Sequence, residues 1–143
     1  MPREPFLILA GSLSALAALL HLAVIFGGPD WYRFFGAGEG MARMAERGMI
    51  QPTLITLGIT AVLAIWAAYA FSGAGLIARL PLLRTGLVVI TLIYLARGLI
   101  VIPAVLMNRE INAFGWWSSL LVLAYGLAYL VGTWRAWPTL GRF

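Results

Sequence analysis

The sequence contains no cysteine, no lysine and a single histidine. The lack of cysteine excludes disulfide frameworks, thiol redox chemistry and thiolate metal sites. One histidine cannot supply the paired axial ligands of a membrane cytochrome b haem. We therefore expect no cofactor and no metal site, and the composition favours ligand binding or proton transfer over redox chemistry.

Charge is also scarce. Of 143 residues, 62% are hydrophobic and 10% are charged, whereas an ordinary soluble domain is about half apolar and a quarter charged. A soluble core of this size cannot bury so much apolar surface, so we expect lipid as a partner. The net charge of +5 does not indicate nucleic acid, because the arginines are scattered singly and form no basic stripe.

Four apolar runs are long enough to cross a bilayer core, which needs about 20 residues per helix. The first exceeds the apolar core of a secretory signal, so we expect it to be a retained span. Glycine and proline separate the runs. The sequence predicts an all-α, integral membrane four-helix bundle that forms one domain over residues 1–143. The predicted spans are 6–26, 53–77, 82–107 and 116–137, with an outer loop at 27–52.

The arginines divide five to four between the two ends of these spans. The side of the termini carries Arg3, Arg79, Arg84, Arg135 and Arg142, and the other side carries Arg33, Arg43, Arg47 and Arg109. Because positive residues favour the cytoplasmic face, we predict that both termini are cytoplasmic and that the protein lies in a bacterial-type inner membrane.

The loop at 27–52 is longer than the 2 to 8 residues that usually join bundle helices. It opens with four aromatic residues in 31–35, continues with three glycines in 36–40, and ends in a stretch, 41–47, that predicts a short amphipathic surface helix. The glycines predict tight turns or close approach to a ligand. The loop is either a cover over the end of the bundle or a lid over an outward-facing pocket.

Two ionisable residues fall inside the predicted spans, and such residues are functional hypotheses by default. Arg97 lies in the third span and His21 in the first. At 1.5 Å per residue, both lie about 21 to 22 Å along their helices. One interpretation is that Arg97 fixes the loop through a carboxylate while His21 bonds a backbone carbonyl. In another, Arg97 binds an anionic group and His21 exchanges a proton; in a third, Arg97 contacts lipid headgroups directly.

The residues leave three functions open. The first is binding, with transport as an extension, of a small or lipid-like anionic molecule in an outward-facing polar pocket. The second is an intramembrane enzyme for a lipid or isoprenoid, with His21 and Glu39 or Glu46 in acid–base roles. The third is a structural or accessory subunit. The predicted ligand-binding residues are Arg97, His21, Tyr94, Gln51, Asp30, Glu39, Glu46 and Tyr125.

The other polar and small residues of the spans indicate helix packing. Serines and threonines such as Ser14 and Ser119 are expected to bond their own helix or a neighbour. Small residues four apart, such as Gly11 and Ala15, permit close helix contact, through which the chain could form a homo-oligomer. The aromatic residues of the fourth span are expected mostly to mark its two interfaces: Trp116, Trp117, Tyr125, Tyr129, Trp134 and Trp137.

Overall fold

The computed structural model describes residues 3–141, and its regular structure over that range is helical. Arg142, which contributes to the predicted orientation, lies outside the described residues. The helices are α1 (Pro5–Gly27), α2 (Pro29–Phe34), α3 (Glu39–Glu46), α4 (Gln51–Gly73), α5 (Leu83–Gly98), α6 (Val101–Leu106) and α7 (Ala113–Ala136), followed by a 3₁₀ turn at Trp137–Thr139.

Four helical segments are long and apolar enough to cross a membrane. They are Pro5–Gly27, Gln51–Gly73, Leu83–Leu106 and Ala113–Thr139. The short helices α2 and α3 lie in the connection between the first and second segments. The all-α membrane fold, with an ordered first loop that carries a short helix, is therefore confirmed.

The second span ends at Gly73, four residues before the predicted end, because a glycine stops the helix. Gly75 has a φ of +84°, a left-handed conformation that glycine adopts without steric cost. The amide of Leu76 then donates to the carbonyl of Phe71 at 3.0 Å, and that of Gly75 donates to Ser72 at 3.1 Å. This pair of bonds is the Schellman motif, which satisfies the last carbonyls of a helix.

The third span is interrupted between α5 and α6, directly after Arg97 and Gly98. Pro103 has no amide hydrogen, and its ring clashes with the carbonyl four residues earlier, which belongs to Leu99. The amide of Ile102 bonds that carbonyl instead, at 3.0 Å, in a tighter three-residue turn. Pro103 thus explains why regular helix stops one turn before it.

The chain divides into two compact units. The bundle unit comprises described residues 3–14 and 66–141, and the loop unit comprises residues 15–65. In the bundle unit the start of α1 and the end of α4 pack with α5 and α7. Leu7 of α1 is fully buried and lies so close to Gly73 and Gly132 that a Cβ on either would come within 2.9 Å of its side chain.

The loop unit has its own small core. Val24 of α1, Tyr32 of α2 and Ala42 of α3 are buried together. Gly36 ends α2 with a φ of +79°, which confirms that this part of the glycine-rich stretch forms a tight turn. The hydroxyls of Thr56 in α4 and Tyr32 lie 3.4 Å apart, so the second span also contributes to this core.

Candidate functional site

Arg97 occupies the last turn of α5, immediately before the break in the third span. Its side chain is exposed, and Nη1 donates to the hydroxyl of Ser119 on α7 at 3.1 Å. Ser119 is buried, with 2% exposure. The hydroxyl therefore gives the guanidinium a fixed neutral partner on the neighbouring helix.

The bundle unit offers Arg97 no carboxylate. Its two acidic residues are Glu4 and Glu110, and Glu4 pairs with Arg135 at 3.3 Å. Among residues 3–14 and 66–141, no carboxylate oxygen lies within 4.0 Å of the Arg97 guanidinium. An arginine has five N–H donors, so most of the donors of Arg97 are not engaged by protein within its unit.

Tyr94 and Tyr125, both predicted as ligand-binding residues, are brought together by the bundle unit. Tyr94 lies one turn before Arg97 on α5, and its ring packs edge-on against Tyr125 of α7 with centroids 5.6 Å apart. The hydroxyl of Tyr94 is hydrogen-bonded to that of Ser14 at 2.9 Å. Tyr94 is therefore buried, with its hydroxyl bonded inside the protein, whereas Tyr125 is half-buried.

A buried hydroxyl cluster connects four helices beneath Arg97. Its members are Ser14, Tyr94 and Tyr129, and Ser14 also bonds the Tyr129 hydroxyl at 2.7 Å. Tyr129 donates to the backbone carbonyl of Trp66 at 3.2 Å. Because a hydroxyl carries one hydrogen, the donors run in order from Tyr94 to Ser14 to Tyr129 to Trp66.

The sequence predicts only part of this cluster. Ser14 is expected to bond its own helix or a neighbour, and it bonds two neighbours. Tyr129 is expected at an interface of the fourth span, whereas it is completely buried. The spacing of Tyr125 and Tyr129, four residues apart, does place them on one face of a helix. The sequence alone contains no sign that this face meets Ser14 of α1.

In the loop unit the predicted acidic residues converge on Arg33. Its Nε and Nη2 donate to the two carboxylate oxygens of Glu39 at 2.9 and 2.8 Å. Nη2 also donates to Glu46 at 2.6 Å, and Nη1 lies 3.4 Å from Asp30. Arg33 therefore ties α2 to both ends of α3, a role that the sequence did not reveal because Glu39 and Glu46 approach it only once the helices fold back.

The hydrogen bonds from Arg33 lower the pKa of Glu39, and the nearby charges of Arg33 and Arg43 act in the same direction. Partial desolvation opposes this shift. Arg43 lies 3.6 Å from Glu39, the four-residue pairing that the sequence predicts on α3. Glu39 is consequently held as a carboxylate at neutral pH.

His21 bonds its own helix. Its Nδ1 lies 2.7 Å from the carbonyl of Ala17, as one interpretation of the sequence expected. Since a carbonyl only accepts, Nδ1 carries the proton, and in the neutral ring Nε2 is the free acceptor. Gln51 is exposed at the start of α4. The hydrogen bonds described for Glu39 and Glu46 are to Arg33, so no described contact supports their acid–base pairing with His21.

No protein-family model, curated protein or solved structure matches the chain. The chain is a helical protein with four segments suited to span a membrane, and two short charged helices lie between the first and second of them.

Proposed function

We propose that this membrane protein binds an anionic amphiphile, with Arg97 as the residue that holds the phosphate or carboxylate. The observation that carries the proposal is the state of Arg97 within the bundle unit. Its guanidinium is exposed, donates to one neutral hydroxyl at 3.1 Å, and has no carboxylate of that unit within 4.0 Å.

The position of Arg97 inside the span carries a free-energy cost, because a charged group is unfavourable in the apolar bilayer. It is about 14 Å from the end of the span at Leu106, counted at 1.5 Å per residue. A charged side chain at such depth is expected to pair with an opposite charge, reach water or mark a binding path. An amphiphile supplies the opposite charge and keeps its apolar part in lipid.

Arginine suits this ligand chemistry. Its planar guanidinium presents donors in pairs that match the oxygens of phosphate and carboxylate. The bond to buried Ser119 uses Nη1 and orients the group. The other guanidinium edge then has the geometry for a two-point contact with an anion.

Within the loop unit, α2 and α3 are held together by their own charged side chains. Arg33 gathers Glu39 and Glu46, which supports a loop whose charges are satisfied within itself. His21, Gln51, Asp30, Glu39, Glu46 and Tyr125 remain predicted contributors.

The test compares Arg97→Gln with Arg109→Gln in purified protein. Both substitutions remove one exposed arginine from the bundle unit, but Arg109 lies after α6, in the connection to α7. Native mass spectrometry would count bound phosphatidylglycerol and phosphatidylcholine with the same acyl chains. We expect Arg97→Gln to lower the affinity for phosphatidylglycerol by roughly tenfold to a hundredfold, which is the usual worth of a hydrogen bond to a charged group. Arg109→Gln should retain most of the wild-type affinity.

Two further arms complete the test. Arg97→Lys keeps the charge but loses the paired donors, so we expect intermediate binding. Glycerol phosphate carries the same phosphate without an acyl chain. Binding of glycerol phosphate as tight as that of the lipid would identify the ligand as a free anion, and much weaker binding would identify it as a lipid headgroup. Equal losses for Arg97→Gln and Arg109→Gln would reduce the effect to general electrostatics and contradict the proposal. Unchanged binding in both would favour the accessory-subunit function, in which Arg97 only fixes helix packing.

A further inference from the structure

The end of the first span fixes the depth of Trp31. The span Pro5–Gly27 has 23 residues, which is about 35 Å at 1.5 Å per residue and exceeds a bilayer core of roughly 30 Å. Both ends of the span therefore reach the headgroup region. The indole of Trp31 packs on Gly27 so closely that a Cβ there would overlap it. Trp31 thus lies at the interface, where tryptophan is enriched in membrane proteins.

A row of aromatic rings continues from Trp31 along α2. The ring centroid of Phe35 lies 5.9 Å from that of Trp31 and 4.9 Å from that of Phe34. Phe35 also packs against the buried core of the loop unit, which holds the row in place. Trp31 is 43% exposed and Phe34 is 72% exposed, and their spacing of three residues places them on one side of the helix. The loop unit therefore leaves much of both rings uncovered.

The lipid around the first span is the neighbour that the structure supplies for these rings. Phe26, in the last turn of α1, is 89% exposed, as expected for a side chain that contacts lipid at the end of a span. Only Gly28 separates α1 from α2. The exposed rings of α2 consequently lie within a few residues of this lipid contact, and Trp31 touches the end of the span directly.

The charges of the hairpin formed by α2 and α3 do not favour one headgroup over another. Residues 28–50 contain three arginines and three acidic residues, so the net charge of this connection is zero. Arg33 pairs with both Glu39 and Glu46, which satisfies much of this charge inside the hairpin. Attachment to a membrane would therefore depend on the rings and not on anionic lipid.

We propose that Trp31 and Phe34 insert into the interfacial layer of the bilayer and hold the hairpin of α2 and α3 on the membrane surface. Aromatic rings bury large apolar areas, and the indole N–H can still reach a polar partner at the boundary. The partner is the lipid surface itself, irrespective of headgroup charge. The proposal does not depend on Arg97.

The depth of α2 can be measured with a nitroxide, because the chain has no cysteine of its own. The label is attached to Phe34→Cys in the full chain in phosphatidylcholine vesicles. Paramagnetic resonance then gives its collision rates with oxygen, which concentrates in lipid, and with a nickel chelate, which stays in water. Phe26→Cys is the lipid-exposed reference at the end of α1, and Arg43→Cys is the exposed reference on α3.

We expect the ratio of oxygen to nickel collisions at Phe34→Cys to approach that at Phe26→Cys and to lie well above that at Arg43→Cys. Replacing part of the phosphatidylcholine with phosphatidylglycerol should leave this ratio unchanged. A ratio equal to that at Arg43→Cys would place α2 in water and overturn the proposal. A label that neither reagent reaches would place α2 against protein, which would overturn it as well, as would a ratio that rises only in anionic vesicles.

A second variant keeps the label away from the inserted rings. With the nitroxide at Ala37→Cys, in the turn after α2, Phe34→Gln should raise the collision rate with nickel because the hairpin loses an anchor. Phe34 is 72% exposed, so its replacement leaves the loop core intact. Arg47→Gln, which changes an exposed residue at the end of α3, is the control and should leave the rate unchanged. Equal nickel collision rates in the two variants would contradict the anchoring role of Phe34.

Discussion

Ser14 joins two tyrosine hydroxyls in the interior of the bundle unit, at 2.9 and 2.7 Å. Interhelical hydrogen bonds in membrane proteins average about 0.6 kcal/mol and reach about 1.7 kcal/mol. Because Ser14→Ala removes two such bonds and leaves two hydroxyls without that partner, we expect the free energy of unfolding to fall by about 1 to 2 kcal/mol. Equilibrium unfolding in mixed micelles would measure this change.

Ser12 provides the control for that substitution. It lies on the same helix, is exposed, and bonds only the carbonyl of Ile8 at 2.8 Å. We expect Ser12→Ala to change the free energy of unfolding by less than about 0.5 kcal/mol, the usual range for a surface substitution. Equal losses for the two serine variants would mean that the hydroxyl cluster does not stabilise the bundle.

Individual residues were only partly predictable from the sequence. Arg97 and His21 could be singled out because ionisable groups are rare in apolar spans. Their partners differ in predictability. The bond from His21 to Ala17 is local, whereas Ser119 lies 22 positions from Arg97 and meets it only through the packing of α5 on α7.

At the scale of the helix, Gly98 sets how closely α5 approaches α7. A Cβ at Gly98 would lie 2.6 Å from the Cα of Leu123, and backbone cannot yield as a side-chain tip can. We expect Gly98→Ala to destabilise the protein by about 2 to 4 kcal/mol, in the upper range of overpacking effects. It should also weaken the bond between Arg97 and Ser119, because the helices must separate.

Gly58 is the matched control on α4, since a Cβ there meets nothing within 4 Å. Alanine is a better helix former than glycine by about 1 kcal/mol, so Gly58→Ala should be neutral or stabilising. Thermal unfolding of both variants in the same detergent tests the difference. A Gly98→Ala protein as stable as the wild type would contradict the close packing of α5 and α7.

The hairpin of α2 and α3 is expected to respond to pH through Glu39. Arg33 lowers the pKa of Glu39 in the folded loop, so the carboxylate contributes stability above the ordinary glutamate pKa of about 4.3. That contribution is lost as the pH falls from about 4.3 through the lower pKa that Glu39 has in the folded loop. A nitroxide at Ala37→Cys, between the two helices, should therefore become more mobile only in this acidic range.

Arg33→Gln should make the same nitroxide mobile at neutral pH and remove its acid response. Arg43→Gln is the control, because Arg43 makes only the longer 3.6 Å contact with Glu39. Electron paramagnetic resonance spectra recorded across the pH range measure the mobility of the nitroxide in both variants. An unchanged spectrum in Arg33→Gln would show that Arg33 does not hold the hairpin.

The helices themselves were largely predictable, because span length and apolar composition are dictated by the bilayer. Two differences between the predicted and the observed helices have local causes. The left-handed Gly75 ends the second span at Gly73, and Pro103 interrupts the third span after Arg97. Both signals are present in the sequence, but the predicted spans ran through them because an apolar run continues past the point where regular helix stops.

The lack of cysteine makes the membrane topology of the chain directly measurable, since any introduced cysteine is unique. Met49 lies in the connection before α4, and Ile77 lies in the connection after it; both positions are exposed. With cytoplasmic termini, a membrane-impermeant maleimide should label the Met49→Cys variant in intact cells and the Ile77→Cys variant only after permeabilisation. The reverse pattern would invert the orientation, and labelling of both variants from one side would contradict the second span.

The proposed role of Arg97, which is to hold an anionic amphiphile, is tested most directly by an experimental structure of the protein extracted in native lipid, at a resolution that shows headgroups. We expect phosphate or carboxylate density within about 3 Å of the Arg97 guanidinium, with Ser119 on its other side. An Arg97 paired with a carboxylate of the chain, with no density beside it, would show that Arg97 does not bind such a ligand.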